Sequence, residues 1–167
     1  MANFSRDEAY NLLTSSDHRT YYDSWAKTYE QDFAYETSYI YPEQIAGLMK
    51  NWIGSEHINL ADIGCGTGLI GDQLRETGWV IDGFDISEGM LAEAKKKKVY
   101  QELICLDLKN KNDYPKKKYS ALVCSGSFTL GHLGPDALKK TLGLCTTGSR
   151  CLVGVNLEYF EDMGFQT

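Results

Sequence analysis

The sequence predicts an α/β protein built on a doubly wound parallel sheet. Three observations predict it. Asp62-Ile-Gly-Cys-Gly-Thr-Gly68 lies between the apolar run Ile58-Asn-Leu60-Ala and Leu69-Ile70-Gly-Asp-Gln-Leu74, the order strand, glycine turn, helix. The same order recurs in Trp79–Phe84, Asp85 and a segment carrying Met90, Leu91 and Ala94 at helical spacing. Three further apolar runs, at 103–108, 119–126 and 150–156, then read as strands. Alternation of strands with helical patterns is the signature of a parallel sheet covered on both faces.

The first 57 residues are helical by pattern. Ser5 with Glu8 reads as a capping box. Tyr21, Trp25, Tyr29 and Phe33 recur at helical spacing, as a core stripe would. Ile45, Leu48, Met49 and Trp52 follow Pro42 at the same spacing.

The glycine loop admits two registers. Gly66-Thr-Gly68-Leu-Ile-Gly71 matches the dinucleotide fingerprint G-x-G-x-x-G. The tight turn after the strand falls at Gly64, however, and counting from it places Leu69 where a third glycine should stand. The working pattern is Asp-x-Gly-x-Gly-x-Gly. A carboxylate at the strand mouth would repel a pyrophosphate and suits a ligand carrying a cation. Glycines at 64, 66 and 68 let such a ligand lie against the backbone, with Cys65 answering only the loop's need for a small residue.

Asp85 ends the second strand, 21 positions after Gly64, where an acid can accept from two ribose hydroxyls. Asp82 competes for that role but sits inside the strand. Ser87 is placed to N-cap the next helix, and the plainer alternative for Asp85 is an acid favoured by that helix's dipole. S-adenosyl-L-methionine, with an ammonium, a sulfonium and no phosphate, answers the demands of both acids.

ADIGCGTG followed by GFDISEGML resembles the motifs of the class I S-adenosylmethionine-dependent methyltransferases. The segment YYDSWAKTYEQDF at 21–33 resembles the stretch ahead of the core in small-molecule methyltransferases, and in the Williams–Beuren-region methyltransferase-like proteins in particular. The resemblance covers roughly residues 20–165. It implies a Rossmann-like sheet of strand order 3-2-1-4-5, with residues 1–57 as an N-terminal helical lid and 58–167 as the cofactor-binding core. It also implies roles. Asp62 and the glycines hold the methionine end, Asp85 the ribose, and Ile86 and Met90 the adenine pocket. Asp107 accepts from the adenine amino group, with Leu108 beside the ring. Trp25 and Tyr29 form part of a lid, as an alternative to their core stripe.

Strand three reads as Leu103–Leu108, and Lys109–Lys118 as a solvated loop that Pro115 keeps from being helical. As a lone Asp at a strand end, Asp107 is equally a turn former. Strand four, Tyr119–Gly126, should place the carbonyls of Ser125 and Gly126 at its carboxyl end, where open parallel sheets bind ligands. Ser127–Leu133 then forms the acceptor-pocket floor. His132 is a base candidate for an acceptor hydroxyl or amine, against the plainer reading of a loop-bonding histidine; His18 and His57 give no constellation with it. Methyl transfer by alignment requires no base. A helix begins at Gly134-Pro135-Asp136 and runs to about Thr146, and strand five is Arg150–Asn156.

Glu158–Met163 reads as a short helix and Gly164-Phe165 as a turn towards a sixth strand. The family's closing hairpin of strands six and seven cannot be built from Gln166 and Thr167. Strand five is therefore expected to be an open edge, which fits a fragment, a shortened form, a homodimer or another partner covering it. A non-catalytic domain binding S-adenosyl-L-methionine or its product S-adenosyl-L-homocysteine is the rival to an enzyme acting on a small-molecule acceptor; a nucleotide-dependent oxidoreductase is a third reading.

Composition bounds the rest. One domain is expected of 167 residues that are 43% hydrophobic and 24% charged. The net charge of −6 argues against a nucleic-acid partner, and the lysine runs at 95–98 and 116–118 read as solvated. No membrane-spanning run or signal segment is present. Five cysteines without C-x-x-C spacing imply neither zinc nor disulfide, and buried thiols in a reducing cytoplasm fit best.

Overall fold

The computed structural model describes residues 4–35, 37–110, 114–116, 118–129, 131–162 and 165. Five parallel strands form one sheet in the order β3-β2-β1-β4-β5. They are β1 (Asn59–Ile63), β2 (Val80–Asp85), β3 (Glu102–Cys105), β4 (Tyr119–Phe128) and β5 (Cys145–Val155). The helices are α1 (Arg6–Tyr10), α2 (Ser15–Trp25), α3 (Tyr41–Ile53), α4 (Leu69–Leu74), α5 (Glu88–Lys96), α6 (Pro135–Leu142) and α7 (Leu157–Asp162).

Alternation of side chains along buried strands gives the sheet two apolar faces. Leu60, Ile81, Ala121 and Val123 face α3 and α4 through Ile45, Met49, Ile53, Ile70 and Leu74. Ala61, Ile63, Phe84, Leu122 and Cys124 face the other way, towards Phe128, Leu133 and Ala137. Asp82, inside β2 as expected, is fully buried and accepts from the Tyr119 hydroxyl at 2.8 Å, tying β2 to β4 behind β1.

Several elements depart from expectation. The helix beginning at Pro135 ends at Leu142, not Thr146, because Cys145 is already paired with Tyr119 as the start of β5. Arg150 then pairs with Ala121, so Thr146–Ser149 bulge outwards through left-handed Gly148. β3 stops at Cys105 and β4 continues through Ser127 to Phe128. On α3, Ile45 and Met49 are buried while Leu48 and Trp52 are half exposed; Ala46 and Ile53 complete the inner face instead.

The 21–33 periodicity is not one helix. α2 ends at Trp25, a turn follows, and Glu30–Tyr35 winds as a π-helix. At α1 only half of the capping box forms: Ser5 Oγ accepts from Glu8 N, while the Ser5 N–H donates to the Tyr21 hydroxyl. The complete box caps α2, between Thr14 and Asp17. Cys65 and Cys124 are buried, but Cys105 is exposed and Cys145 and Cys151 are only partly covered, contrary to a set of buried thiols. Leu130, Lys117, Met163, Gly164, Gln166 and Thr167 lie outside the described residues.

Candidate functional site

The strand order reverses between β1 and β4, and a cavity opens at the carboxyl ends of the strands on that line. β1 contributes Asp62, its following loop Gly64–Thr67, β2 Asp85, and the segment after β3 Leu106–Lys109. β4 contributes Ser125, Gly126 and Ser127. Tyr22, Tyr29 and Tyr39 cover the opening from the N-terminal helical layer.

Asp62 is 1% exposed. Its Oδ2 accepts from the Tyr100 hydroxyl at 2.7 Å. Desolvation pushes its carboxyl up to about 7; Tyr100 opposes the shift and the charge of Asp85 adds to it. Asp85 stands across the loop, half-buried, and its Oδ2 accepts from Gly66 N and its Oδ1 from Ser87 N, both at 2.9 Å. Burial raises its carboxyl too, against those backbone donors. Among the described residues no cationic side chain pairs with either acid. Each oxygen of a carboxylate takes more than one donor, so Asp85 keeps capacity for two hydroxyls while holding the loop.

The loop conformation exposes backbone to the cavity. Gly66 has φ of 54°, and a Cβ built there would meet no protein atom within 4 Å, so the space beside it is free for a ligand. Thr67 Oγ1 is buried without a hydrogen-bond partner, one of two such side-chain atoms among the described residues. Gly68, expected to touch the ligand, does not line the cavity: it is the left-handed N-cap of α4 and abuts Ala94 and the Tyr100 ring.

Asp107 and Leu108 do line the cavity. Asp107 also forms the turn that its type favours, with Oδ1 accepting from Lys109 N at 2.9 Å. Ile86, Met90, Cys65 and Ser125 are on the wall as expected. Ser87 Oγ caps α5 through Met90 N at 3.0 Å, and this first turn aims Met90 inward.

An aromatic layer from the N-terminal helices lies against the cavity. Tyr29 lines the cavity, but Trp25 does not; it is 2% exposed, stands behind Tyr29 with ring centroids 4.8 Å apart, and donates from Nε1 to Asp32. Burial raises the Tyr22, Tyr29 and Tyr39 phenols, Tyr39 to about 12, so all three remain neutral donors. Asp23 Oδ1 accepts from Ser87 Oγ at 2.6 Å and Gly89 N at 2.8 Å, fastening α2 to the first turn of α5.

His132 lines the cavity with both nitrogens engaged, Nε2 with the Tyr22 hydroxyl and Nδ1 with Thr129 Oγ1, each at 2.9 Å. That geometry serves a bridge between lid and floor. The expectation that His18 makes no constellation with it is corrected: the rings lie 4.7 Å apart, and His18 Nε2 meets Gly131 O at 3.0 Å. His57 is exposed and remote from the cavity. Tyr22, Tyr39, His18 and Thr67 were missed by the sequence reading. Only the tyrosine density of residues 21–41 hinted at the first two.

A parallel sheet of this order, a glycine loop framed by two uncompensated acids, and an aromatic layer over the switch point define a class: the Rossmann-like, S-adenosylmethionine-dependent methyltransferases. Residues 60–147 match the family described as methyltransferase domain, and the chain belongs to that family. Human methyltransferase-like protein 27 is 30% identical over 149 residues, 84% of this chain and 60% of that protein, so the chain spans less than two thirds of that relative. The fold is shared with the DhpI–SAH complex (TM-score 0.64, 18% identity, 86% of this chain and 71% of that one). It is shared equally with a TehB-like SAM-dependent methyltransferase from Corynebacterium glutamicum (TM-score 0.63, 20% identity, 86% and 82%).

Proposed function

We propose that this domain binds S-adenosyl-L-methionine in the cavity and transfers its methyl group to a small-molecule acceptor, leaving S-adenosyl-L-homocysteine. The observation that carries the reading is the pair of acids, Asp62 and Asp85, set on either side of an open glycine loop with no protein cation between them. Burying a carboxylate without a partner is costly, and a ligand ammonium at Asp62 and ribose hydroxyls at Asp85 would offset that cost. Asp107 accepts the adenine amino group, with Ile86, Met90 and Leu108 as apolar walls.

The cofactor supplies a methyl group already activated by its sulfonium. What the chain supplies is alignment and exclusion of water. Positioning of this kind can contribute about 7–11 kcal/mol to a bimolecular reaction. Ser125, Gly126 and Ser127 form the wall at the end of β4, and Tyr22, Tyr29 and Tyr39 close over it. His132, held at both nitrogens, orients the lid and leaves the reaction without a dedicated base.

Calorimetric titration with S-adenosyl-L-methionine, S-adenosyl-L-homocysteine and NAD tests the reading. Micromolar binding of the first two with none of the third is expected. Preferential binding of NAD, or no binding of either sulfur compound, refutes it.

A further inference from the structure

We propose that Tyr100 is the positioning residue for Asp62: its phenol holds one carboxylate oxygen so that the other is presented to the cationic end of the ligand. The proposal rests on the cofactor reading above and adds to it a residue that makes no contact with the cavity.

The ring lies in a slot made by three glycines from three elements. A Cβ at Gly68 would come within 3.0 Å of Tyr100 Cε2, one at Gly71 within 2.5 Å of Cζ and the hydroxyl, and one at Gly83 within 3.0 Å of Cδ1. Those positions are the glycine loop, the first turn of α4 and the centre of β2. A side chain at any of them would displace the phenol. Gly71 is the residue that completes the formal G-x-G-x-x-G match, and here it accommodates Tyr100 and is not on the ligand side.

Filling the slot does not require a hydroxyl, since phenylalanine has the same ring. The hydroxyl accepts a hydrogen bond from the Gly71 backbone, which anchors it in the slot, and has a second task. It donates to Asp62 Oδ2 at 2.7 Å, the sole side-chain hydrogen bond that Asp62 receives among the described residues. The other groups whose charge reaches Asp62 are unhelpful to its ionisation: Asp85 repels it, and the Cys65 and Cys124 thiols are themselves pushed up by burial. Among the described residues Tyr100 is thus the one neighbour that favours the carboxylate. Without it only burial and the charge of Asp85 would act on Asp62, and both disfavour the carboxylate that an ammonium needs.

Tyr100→Phe tests this, with wild type as reference. In the ligand-free protein, the Asp62 carboxyl is followed by ¹³C NMR from pH 5 to 9. S-adenosyl-L-homocysteine affinity is measured by calorimetry over the same range. The Asp62 titration should move to higher pH, the rise of affinity with pH should move with it, and affinity at pH 7 should fall roughly ten-fold, the size of one hydrogen bond to a charged group. An unchanged titration, or an affinity loss equal at every pH, overturns the proposal and leaves Tyr100 a packing residue. Wild type that binds no S-adenosyl-L-homocysteine refutes the cofactor reading alone, because the ligand-free titration still reports the Tyr100–Asp62 link. Should the phenylalanine variant not fold, 3-fluorotyrosine at position 100, a stronger donor, must move the Asp62 titration to lower pH; no movement overturns the proposal equally.

Discussion

The crescent of backbone from Asp62 to Gly68 and the aromatic layer over it reach the same cavity by opposite means. The crescent is specified locally. Its turns need left-handed residues, its helix needs a start, and its acids sit at strand ends, so each requirement leaves a mark on consecutive residues. The layer is specified by distant contacts. Tyr22 meets His132 across 110 positions and Asp23 meets Ser87 across 64. Residues that bind through backbone geometry can be read in a string, whereas residues that bind through a partner far along the chain cannot.

The difference predicts graded effects. Asp85→Ala removes the carboxylate that joins the loop to β2 and the acceptor proposed for two hydroxyls. Hydrogen bonds to a charged group contribute about 1.5–3 kcal/mol each, so S-adenosyl-L-homocysteine affinity should fall at least a hundred-fold, by calorimetry, while circular dichroism shows the fold retained. Retained affinity would break the assignment of the crescent as the binding half.

Asp62→Asn should act on binding and stability in opposite senses. The folded carboxyl lies near 7, above its ordinary 3.8. A raised acid contributes stability below its unfolded value and loses it as pH rises through the folded one. The ligand-free protein should therefore melt lower at pH 8 than at pH 5, and Asp62→Asn should flatten that decline while abolishing cofactor binding. Thermal melts at the two pH values measure it; an unchanged decline in the variant would show that Asp62 is not its source.

Asp23→Ala tests the layer. It removes two acceptor contacts from the first turn of α5, a capping loss of about 1 kcal/mol. A lowering of the melting temperature by a few degrees is expected, with affinity reduced several-fold because the lid is no longer fastened. Leu48→Gln should do least. Leu48 was expected on the buried stripe of α3 but is 55% exposed, so the change should stay within about 0.5 kcal/mol in denaturant melts. A loss of 2 kcal/mol or more would restore the stripe.

Much of the sheet was legible because buried parallel strands are short apolar runs between loops. Asp62, Asp85 and Ser87 were legible because strand ends and helix starts constrain residue type. Two readings failed for physical reasons, and one formal match that the working register leaves out has a structural cause. Trp25 and Tyr29 share one helical spacing, yet α2 ends at Trp25 and the turn at 26–28 puts one behind the other. Leu48 and Trp52 share a face with nothing to cover it among the described residues, a property of the neighbours and not of the helix. Gly71 satisfied a ligand fingerprint while answering to the ring of Tyr100, 29 positions away, which no local pattern displays.

The carboxylate of Asp23 does more than close a contact. It occupies Gly89 N, an amide in the α5 turn that follows Asp85. Whatever lifts the helical layer must release that N–H to solvent, so the hydrogen-exchange rate of one backbone amide becomes a clock for opening of the whole cavity. Slowing of that clock by bound cofactor would measure, in units of time, how firmly the two halves of the site hold one another.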